Sequence, residues 1–373
     1  MKKKRILVDA HTFDENHQGI RTFLKGVYSA IEYTSEELEI ILVANNIENL
    51  KQEFKDQKHF KYVQLKYTNK YIRLAYEIPR VIKKYAADYA HFNYFLPLFL
   101  NKKCKYIVTI HDVLFIDFPN FFPLKYQIIN SFLYKRSAKK AQIVTTVSQY
   151  SEDMIKKNFK ISDKPITILP NATSELYRKP HDKVKDKAYI KTNYNLEKYI
   201  IFVSRFEPRK NHMILLKAYE ELKLWKEGYA LVFVGKETFN NSELDEKIKA
   251  INIASKGKIF KFEDIKNDHL VKFYNAAELS VFPSLCEGFG IPPIESVTLK
   301  TPTLCSDATA MRDFDFFGEF LFDATDVEEL KSKIRLVLNT NTEPQFESIS
   351  EIVKIKYNWK NTAHKLKELI LKN

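Results

Sequence analysis

The segment Phe282-Pro-Ser-Leu-Cys-Glu287-Gly288-Phe289-Gly290-Ile291-Pro-Pro-Ile-Glu295 decides the fold. It starts at the end of an apolar run typical of a strand, passes through a loop with two glycines, and then opens a helix with two prolines, a residue that suits the first helical turn. A helix N-terminus behind such a loop offers free N–H groups and a positive dipole end to a diphosphate. The segment therefore predicts a strand–loop–helix unit of an α/β protein.

The same alternation of strands and helices extends over the rest of the chain. Apolar runs predict strands at residues 5–9, 39–44, 62–65, 89–92, 106–110, 143–147, 199–203, 230–234, 258–262 and 279–283. Between them, apolar periodicity predicts helices at residues 20–31, 73–84, 124–138, 211–226, 242–255 and 267–277. This alternation is typical of parallel sheets with helices on both faces.

A charged stretch, residues 181–187, separates the two halves, so we place a linker between residues 171 and 195. The 373 residues then form two Rossmann-like, doubly wound α/β domains, at residues 1–180 and 195–355. Two such domains in series leave a cleft in which the carboxyl ends of the strands on both sides face one ligand. We therefore expect the functional site in that cleft.

Targeting, membrane and metal signals are weak in this sequence. The apolar run after the basic N-terminus, residues 6–8, is far too short for a secretory signal. The longest apolar run, residues 94–100, contains a proline and is much shorter than the roughly 20 residues of a membrane helix. Three scattered cysteines form neither a disulfide framework nor a zinc pattern: Cys104, Cys286 and Cys305. These features predict a cytoplasmic protein with no metal site.

Positive charge is concentrated in the first half of the chain. Residues 1–180 carry 30 Lys and Arg against 18 Asp and Glu, whereas the remaining residues carry 30 against 29. Such a field attracts anionic lipid headgroups, phosphorylated acceptors or nucleic acid. A plain lysine-rich surface is the alternative, although coding bias alone would not produce the asymmetry. The basic half also contains interleaved aromatic residues, which suit an acceptor docked at a membrane face: Phe118, Phe121, Phe122, Tyr126 and Phe132.

Two motifs carry a resemblance to a known family. Glu287 and Glu295, separated by seven residues that include Gly-Phe-Gly-Ile-Pro, resemble the EX7E motif of retaining GT-B glycosyltransferases of family four, the group 1, mannosyltransferase-like enzymes. The segment Ser204–Asn211 resembles the donor-phosphate segment of the same family. The resemblance implies a GT-B fold with an N-terminal acceptor domain, a C-terminal donor domain, and a last helix, within residues 356–373, that packs back on the N-terminal domain.

The resemblance also implies roles for individual residues. Glu287 lies beside the donor sugar and Glu295 holds the ribose hydroxyls, while Arg205 and Lys210 are the main phosphate anchors and Arg209 is a third cation. The backbone of the loop between the glutamates meets sugar or phosphate, which makes donor-binding residues of Gly288, Phe289, Gly290 and Ile291. Departure of a nucleoside diphosphate develops negative charge that these cations and the helix end stabilise without a metal.

Two further assignments fall in the first half. His111 follows the predicted strand at residues 106–110 and is similar to the family histidine that reaches the donor sugar and the reaction centre. Gly19 resembles the family's glycine-rich loop after the first strand, but the family usually has paired glycines and this chain keeps one.

Each motif also has a simpler interpretation. Ser284 to Glu287 has the spacing of a capping box, and Glu295 in a first helical turn favours the helix dipole in any protein. Arg205 and Lys210 suit a solvated loop, and a lone histidine such as His111 is usually structural, held by Asp112 or by a backbone carbonyl.

The favoured function is a retaining, metal-independent hexosyltransferase that uses a nucleotide-diphosphate sugar and a glycan or lipid-linked acceptor in cell-surface polysaccharide synthesis, with GDP-mannose or another hexose donor. Peripheral association with the inner face of the plasma membrane fits the basic half, and no nucleic-acid partner is expected. The alternatives are a non-catalytic polyanion or nucleic-acid binding protein, for which no motif is present, and a nucleotide-sugar epimerase or phosphorylase of the same fold. A nicotinamide dehydrogenase is disfavoured because no GxGxxG follows a predicted strand.

Overall fold

The protein is described by a computed structural model that covers residues 3–14, 19–237 and 242–372. The chain folds as two compact units. The first comprises Met1–Asn171 and Asn358–Asn373, and the second comprises Ala172–Tyr357. Each unit has its own parallel sheet, so the α/β class predicted from the alternating pattern is confirmed.

The sheet of the first unit has seven strands within the described residues, in the order β3-β2-β1-β4-β5-β6-β7. They are β1 Lys4–Asp9, β2 Leu38–Ala44, β3 Lys61–Gln64, β4 Tyr89–Asn93, β5 Lys105–Thr109, β6 Ile143–Thr146 and β7 Ile166–Ile168. The helices between them are α1 Gly19–Ala30, α2 Ile47–Glu53, α3 Lys70–Ile72, α4 Ile78–Lys84, α5 Leu114–Asp117, α6 Leu124–Lys140 and α7 Gln149–Phe159. A π-helical segment, Arg73–Glu77, joins α3 to α4.

The sheet of the second unit has six strands within the described residues, in the order β10-β9-β8-β11-β12-β13. They are β8 Lys198–Val203, β9 Tyr229–Val234, β10 Ile259–Phe262, β11 Leu279–Phe282, β12 Thr303–Ser306 and β13 Leu321–Phe322. The helices are α8 Glu175–Arg178, α9 Lys183–Tyr194, α10 His212–Leu222, α11 Ser242–Ser255, α12 Asn267–Ala276, α13 Ile291–Thr298, α14 Val327–Asn339 and α15 Glu343–Lys356.

Residues 172–194 differ from the irregular linker that the sequence predicted. They belong to the second unit and contain α8 and α9. Asp182 caps α9 by accepting from the backbone N–H groups of Val184 and Lys185, both at 3.1 Å. Apart from Asp186 and Ile190, the side chains of α9 are not buried, and so the segment shows no apolar periodicity.

The last helix, α16 Trp359–Lys372, belongs to the first unit, as the family resemblance implied. It packs against α1, where Gly26 faces the indole ring of Trp359. The hydroxyl of Thr362 donates to the carbonyl of Pro170 at 2.9 Å and fixes the start of the helix. A Cβ atom at Gly26 would lie 2.2 Å from the Trp359 ring, so this helix pair requires a residue without a side chain.

We expect Gly26→Ala to destabilise the protein by about 1–3 kcal/mol, because the new methyl group overlaps the indole ring of Trp359. Urea unfolding monitored by circular dichroism measures the loss. Gly19→Ala is the control, because a Cβ atom at that position meets nothing within 4 Å. Equal stability of the two variants would contradict the close packing of α1 on α16.

Candidate active site

In the second unit, the candidate residues follow two neighbouring strands. β8 and β11 pair side by side although β9 and β10 separate them in sequence, and the strand order reverses between them. In open α/β sheets, ligands bind beyond the carboxyl ends of the strands at such a point. The loop after β8 contains Arg205, Arg209 and Lys210, and the loop after β11 contains Glu287.

Glu287 is bound by two cations from the other loop. Its Oε2 accepts from Nη1 of Arg209 at 3.0 Å, and its Oε1 accepts from Nζ of Lys210. Arg209 also donates to the carbonyl of Cys286 at 3.1 Å and pairs with Glu207 at 2.7 Å. Burial raises the pKa of Glu287, but the charges of Lys210 and Arg209 and the hydrogen bonds outweigh it and lower the pKa to about 2. Glu287 is therefore ionised at neutral pH.

The loop after β8 brings Arg209 and Lys210 to Glu287. A 3-10 turn, Pro208–Lys210, directs both Arg209 and Lys210 towards the loop after β11. The backbone N–H of Leu285 donates to the carbonyl of Arg209 at 2.8 Å and ties the two loops together. The side chain of Arg205, two residues beyond β8, is exposed. The predicted phosphate roles of all three cations stay predictions.

Two hydrogen bonds from the Thr309 side chain fix the start of the Glu287–Ile291 loop. The Thr309 hydroxyl accepts from the backbone N–H of Glu287 at 2.8 Å and donates to its carbonyl at 3.0 Å. Gly290 has φ +100°, and a Cβ atom there would lie 3.1 Å from Met311, so the tight turn into α13 requires glycine. Because α13 begins at Ile291, the capping-box interpretation of Ser284 and Glu287 is wrong.

Glu295 lies on α13 in a different electrostatic setting. Burial raises the pKa of Glu295 to about 7, and the hydrogen bond from the hydroxyl of Tyr177 offsets only part of that rise. Within the described part of the chain no cation forms an ion pair with Glu295, and the nearby hydroxyl of Tyr274 is buried without a hydrogen-bond partner. The sequence analysis missed Tyr177 and Tyr274, whose hydroxyl groups lie close to the carboxyl group of Glu295.

In the first unit, His111 follows β5 and is buried. Its Nε2 bonds Oδ1 of Asn93, at the end of the adjacent strand β4, at 2.9 Å. Burial lowers the pKa of His111 to about 3, so the ring is neutral at physiological pH. With the proton on Nε2, Nδ1 is left as an acceptor. The sequence analysis offered Asp112 or a backbone carbonyl as the group that holds His111, whereas the structure shows the side chain of Asn93. Its place at the end of the neighbouring strand was the available signal.

A strained turn supports His111 from the other side. Tyr94 has φ +63°, which is rare for an aromatic residue, and Phe95 N–H donates to the carbonyl of Asn93 at 2.7 Å. The rings of Tyr94 and His111 lie 5.4 Å apart, and that of Phe23 packs edge-on against His111 at 5.1 Å. The turn thus fixes the position of the imidazole.

The remaining sequence predictions concern Gly19, membrane spans and metal ions. Gly19 is exposed at the first position of α1, the loop residues 15–18 before it lie outside the described residues, and its donor contact stays a prediction. Among residues 3–14, 19–237 and 242–372, no group of three His, Cys, Asp or Glu side chains is arranged to hold a metal ion. Over the same ranges, no helix is long and apolar enough to span a bilayer.

We expect Glu295→Gln to stabilise the protein at pH 8 and to have little effect at pH 4. Because the pKa of Glu295 is raised to about 7 in the folded protein, its ionisation in the unfolded state destabilises the fold progressively from the usual glutamate pKa of roughly 4.3 up to about pH 7, and fully above that, whereas at pH 4 the carboxyl is mostly protonated in both states. The side chain is only partly buried, so the gain should be on the order of 1 kcal/mol. Thermal unfolding at both pH values measures it, and a loss of stability at pH 8 would contradict the electrostatic account.

Comparisons with known proteins cover nearly the whole chain. The model for glycosyl transferases group 1 matches residues 185–359, and the model for Glycosyltransferase Family 4 matches residues 30–174. The fold is similar to the crystal structure of Anabaena HepE in complex with UDP-glucose, with a TM-score of 0.74 and 15% identity over 99% of this chain and 100% of that one.

Two relatives are mannosyltransferases by name. The chain is 27% identical over 240 residues to the O-antigen chain mannosyltransferase RfbU of Salmonella typhimurium, an alignment that covers 64% of this chain and 62% of RfbU. It is 31% identical over 178 residues to the serotype-specific mannosyltransferase WbdA of Escherichia coli, covering 46% of this chain and 20% of WbdA. The chain thus spans less than two thirds of either relative. With one family model matching each half, the chain belongs to the GT-B glycosyltransferases of the family 4, group 1 type.

Proposed function

We propose that the protein is a retaining, metal-independent hexosyltransferase that moves a sugar from a nucleotide-diphosphate donor to a hydroxyl group of a glycan or lipid-linked acceptor. The observation that carries this proposal is the binding of Glu287 by Arg209 and Lys210 at the reversal point of the second sheet. The names of RfbU and WbdA support mannose as the transferred sugar and cell-surface polysaccharide as the product class.

The loop around Glu287 suits a donor diphosphate. Lys210 has three N–H donors and uses one on Glu287, and Arg205 adds an exposed cation at the same edge of the sheet. The backbone N–H groups of Phe289 and Gly290, just before α13, donate to no acceptor within the described residues. These donors together stabilise the negative charge that develops on the leaving phosphate.

His111 suits a sugar hydroxyl rather than a phosphate. A neutral imidazole with its proton on Nε2 accepts a hydrogen bond at Nδ1 but carries no charge to pair with an anion. In the transfer step, the acceptor oxygen bonds the anomeric carbon on the face from which the phosphate leaves. The bond from that carbon to the phosphate oxygen breaks, and the hydroxyl proton passes to that oxygen. Positioning and electrostatics are the protein's contribution.

We expect one class among GDP-, UDP-, dTDP- and ADP-sugars to raise the melting temperature in buffer containing EDTA, because a ligand that binds only the folded state stabilises it. Lys210→Gln should abolish the shift and reduce turnover of the responding donor by about 10²–10³-fold, the range for a lost charge-stabilising donor. Lys300→Gln is the control, since Lys300 forms an exposed ion pair with Glu347.

The outcomes separate the proposal from its alternatives. No response to any nucleotide sugar would favour a polyanion-binding protein. NMR of the product's anomeric proton tests stereochemistry, and inversion relative to the donor would contradict the retaining mechanism. Activity that is lost with EDTA and restored by a divalent ion would contradict metal independence.

We also propose that α6 docks on an anionic membrane surface. Leu124, Ile128 and Phe132 recur every four residues on this helix and are 69%, 63% and 70% exposed. Lys125 lies among them, and Lys135, Lys139 and Lys140 follow on the same helix. An exposed apolar stripe beside lysines is typical of a helix that lies in the interface of an anionic bilayer.

Sedimentation with liposomes tests this surface. We expect the protein to bind vesicles containing phosphatidylglycerol at low salt and to be released at high salt, because exposed charges are screened. Ile128→Ser combined with Phe132→Ser should abolish binding, since each removes an apolar side chain that enters the interface. Ile355→Ser is the control, an exposed apolar residue on α15. Equal binding to vesicles with and without phosphatidylglycerol would contradict the proposal.

A further inference from the structure

Among the described residues, two cations near the carboxyl edge of the first sheet form no ion pair with a carboxylate. Arg73 is 6% exposed, and its guanidinium forms no hydrogen bond or ion pair with any described residue. Its Nε is fully buried and unpartnered. Lys70, one helical turn earlier, forms no ion pair within the described ranges either, and its Nζ lies 3.6 Å from the centroid of the Phe95 ring. Burying a charge without a partner is costly, so these residues need an explanation other than stability.

The charge of Arg73 contributes to lowering the pKa of Asp9, at the end of β1, but the carboxyl group of Asp9 already has another partner. Its Oδ1 accepts from the backbone N–H of His11 at 3.3 Å and from Nδ1 of the same residue at 3.0 Å. Arg73 and Asp9 do not approach within ion-pair distance. Lys70 and Arg73 also repel each other, which together with burial lowers the pKa of Lys70.

The strained turn at Tyr94 connects these cations to His111. Asn93 at one end of the turn bonds His111, and Phe95 at the other end lies beneath Lys70. Positive φ at an aromatic residue costs about 1–3 kcal/mol, and residues with such backbone strain cluster at active sites and ligand-binding sites. The π-helical segment that begins at Arg73 is a second irregularity of the kind that is frequent at functional sites.

We propose that Lys70 and Arg73 bind the phosphate or diphosphate group of the acceptor, next to His111 in the first unit. The inference rests on the proposed transferase function and names the class of acceptor: one that carries a phosphoryl group close to the hydroxyl that is glycosylated. The planar guanidinium of Arg73 forms paired hydrogen bonds with phosphate oxygens, and Lys70 supplies a point charge. An incoming dianion removes the repulsion between them.

Isothermal titration calorimetry of the full chain tests the site, with inorganic pyrophosphate and farnesyl diphosphate as probes. We expect Arg73→Met and Lys70→Met each to weaken the binding of both probes at one site by about tenfold to a hundredfold. This change in affinity corresponds to the loss of one hydrogen bond to a charged group. Arg80→Met is the matched control, because Arg80 is exposed on α4 and contacts Tyr76. Tighter binding of farnesyl diphosphate points to a lipid-linked acceptor, and equal binding points to a free phosphorylated sugar.

Melting temperatures distinguish a binding role from a structural one. Because Arg73 forms no hydrogen bond or ion pair with a described residue, Arg73→Met should leave the melting temperature unchanged or raise it, whereas a structural arginine would lower it. Wild-type affinity for both probes in Arg73→Met and Lys70→Met would overturn the proposal. The shift in melting temperature caused by nucleotide sugars is measured separately on the same variants. Loss of that shift in the wild type would contradict the proposed transferase function, whereas a failure of the Lys70 and Arg73 site alone would leave the shift unchanged.

Discussion

The ion pairs that Glu287 forms with Arg209 and Lys210 are the interaction on which the site of the second unit depends. They join two loops that are far apart in sequence but follow adjacent strands. Removing one partner of such a buried pair costs about 3–5 kcal/mol, because the other charge is left uncompensated. The bond from Leu285 N–H to Arg209 and the two bonds of Thr309 fix the same loops, so the cations are positioned before a ligand arrives.

The two glutamates of the motif have opposite electrostatic environments although eight positions separate them. Paired cations lower the pKa of Glu287 to about 2, whereas burial without a cation raises that of Glu295 to about 7. A segment that holds two carboxylates at such different pKa values is typical of a functional site. Glu287 is a fixed charge that holds cations in place, while Glu295 has no ion pair within the described residues. This difference agrees with the separate roles that the family resemblance gives them.

The sequence predicted most strands and the two loops after β8 and β11. It could do so because long apolar runs and a helix that starts with two prolines are local signals. It missed β7 and β13, which have three and two residues, too few to show a pattern. It also missed β12, because only Leu304 and Cys305 of its four residues are apolar. It could not predict that Arg209 pairs with Glu287, because side-chain direction depends on a 3-10 turn that spacing does not reveal. Asn93 and Tyr177 were missed because their partners are distant in sequence, and Arg73 because its significance comes from the lack of an ion pair within the described residues.

Both units have a strained residue that is not glycine beside the groups proposed to act. Tyr94, after β4, has φ +63° and fixes Asn93 on His111, while Thr309, after β12, has φ +52° and holds the backbone of Glu287. Each costs about 1–3 kcal/mol, and neither is needed for the sheets, whose strands end before these turns. The strain persists because the surrounding core determines it: Tyr94 stacks on buried Tyr134 at 4.6 Å, and the residues after Thr309 pack against Gly290. Each unit therefore uses packing energy from its core to hold a polar group in one position at the carboxyl edge of its sheet.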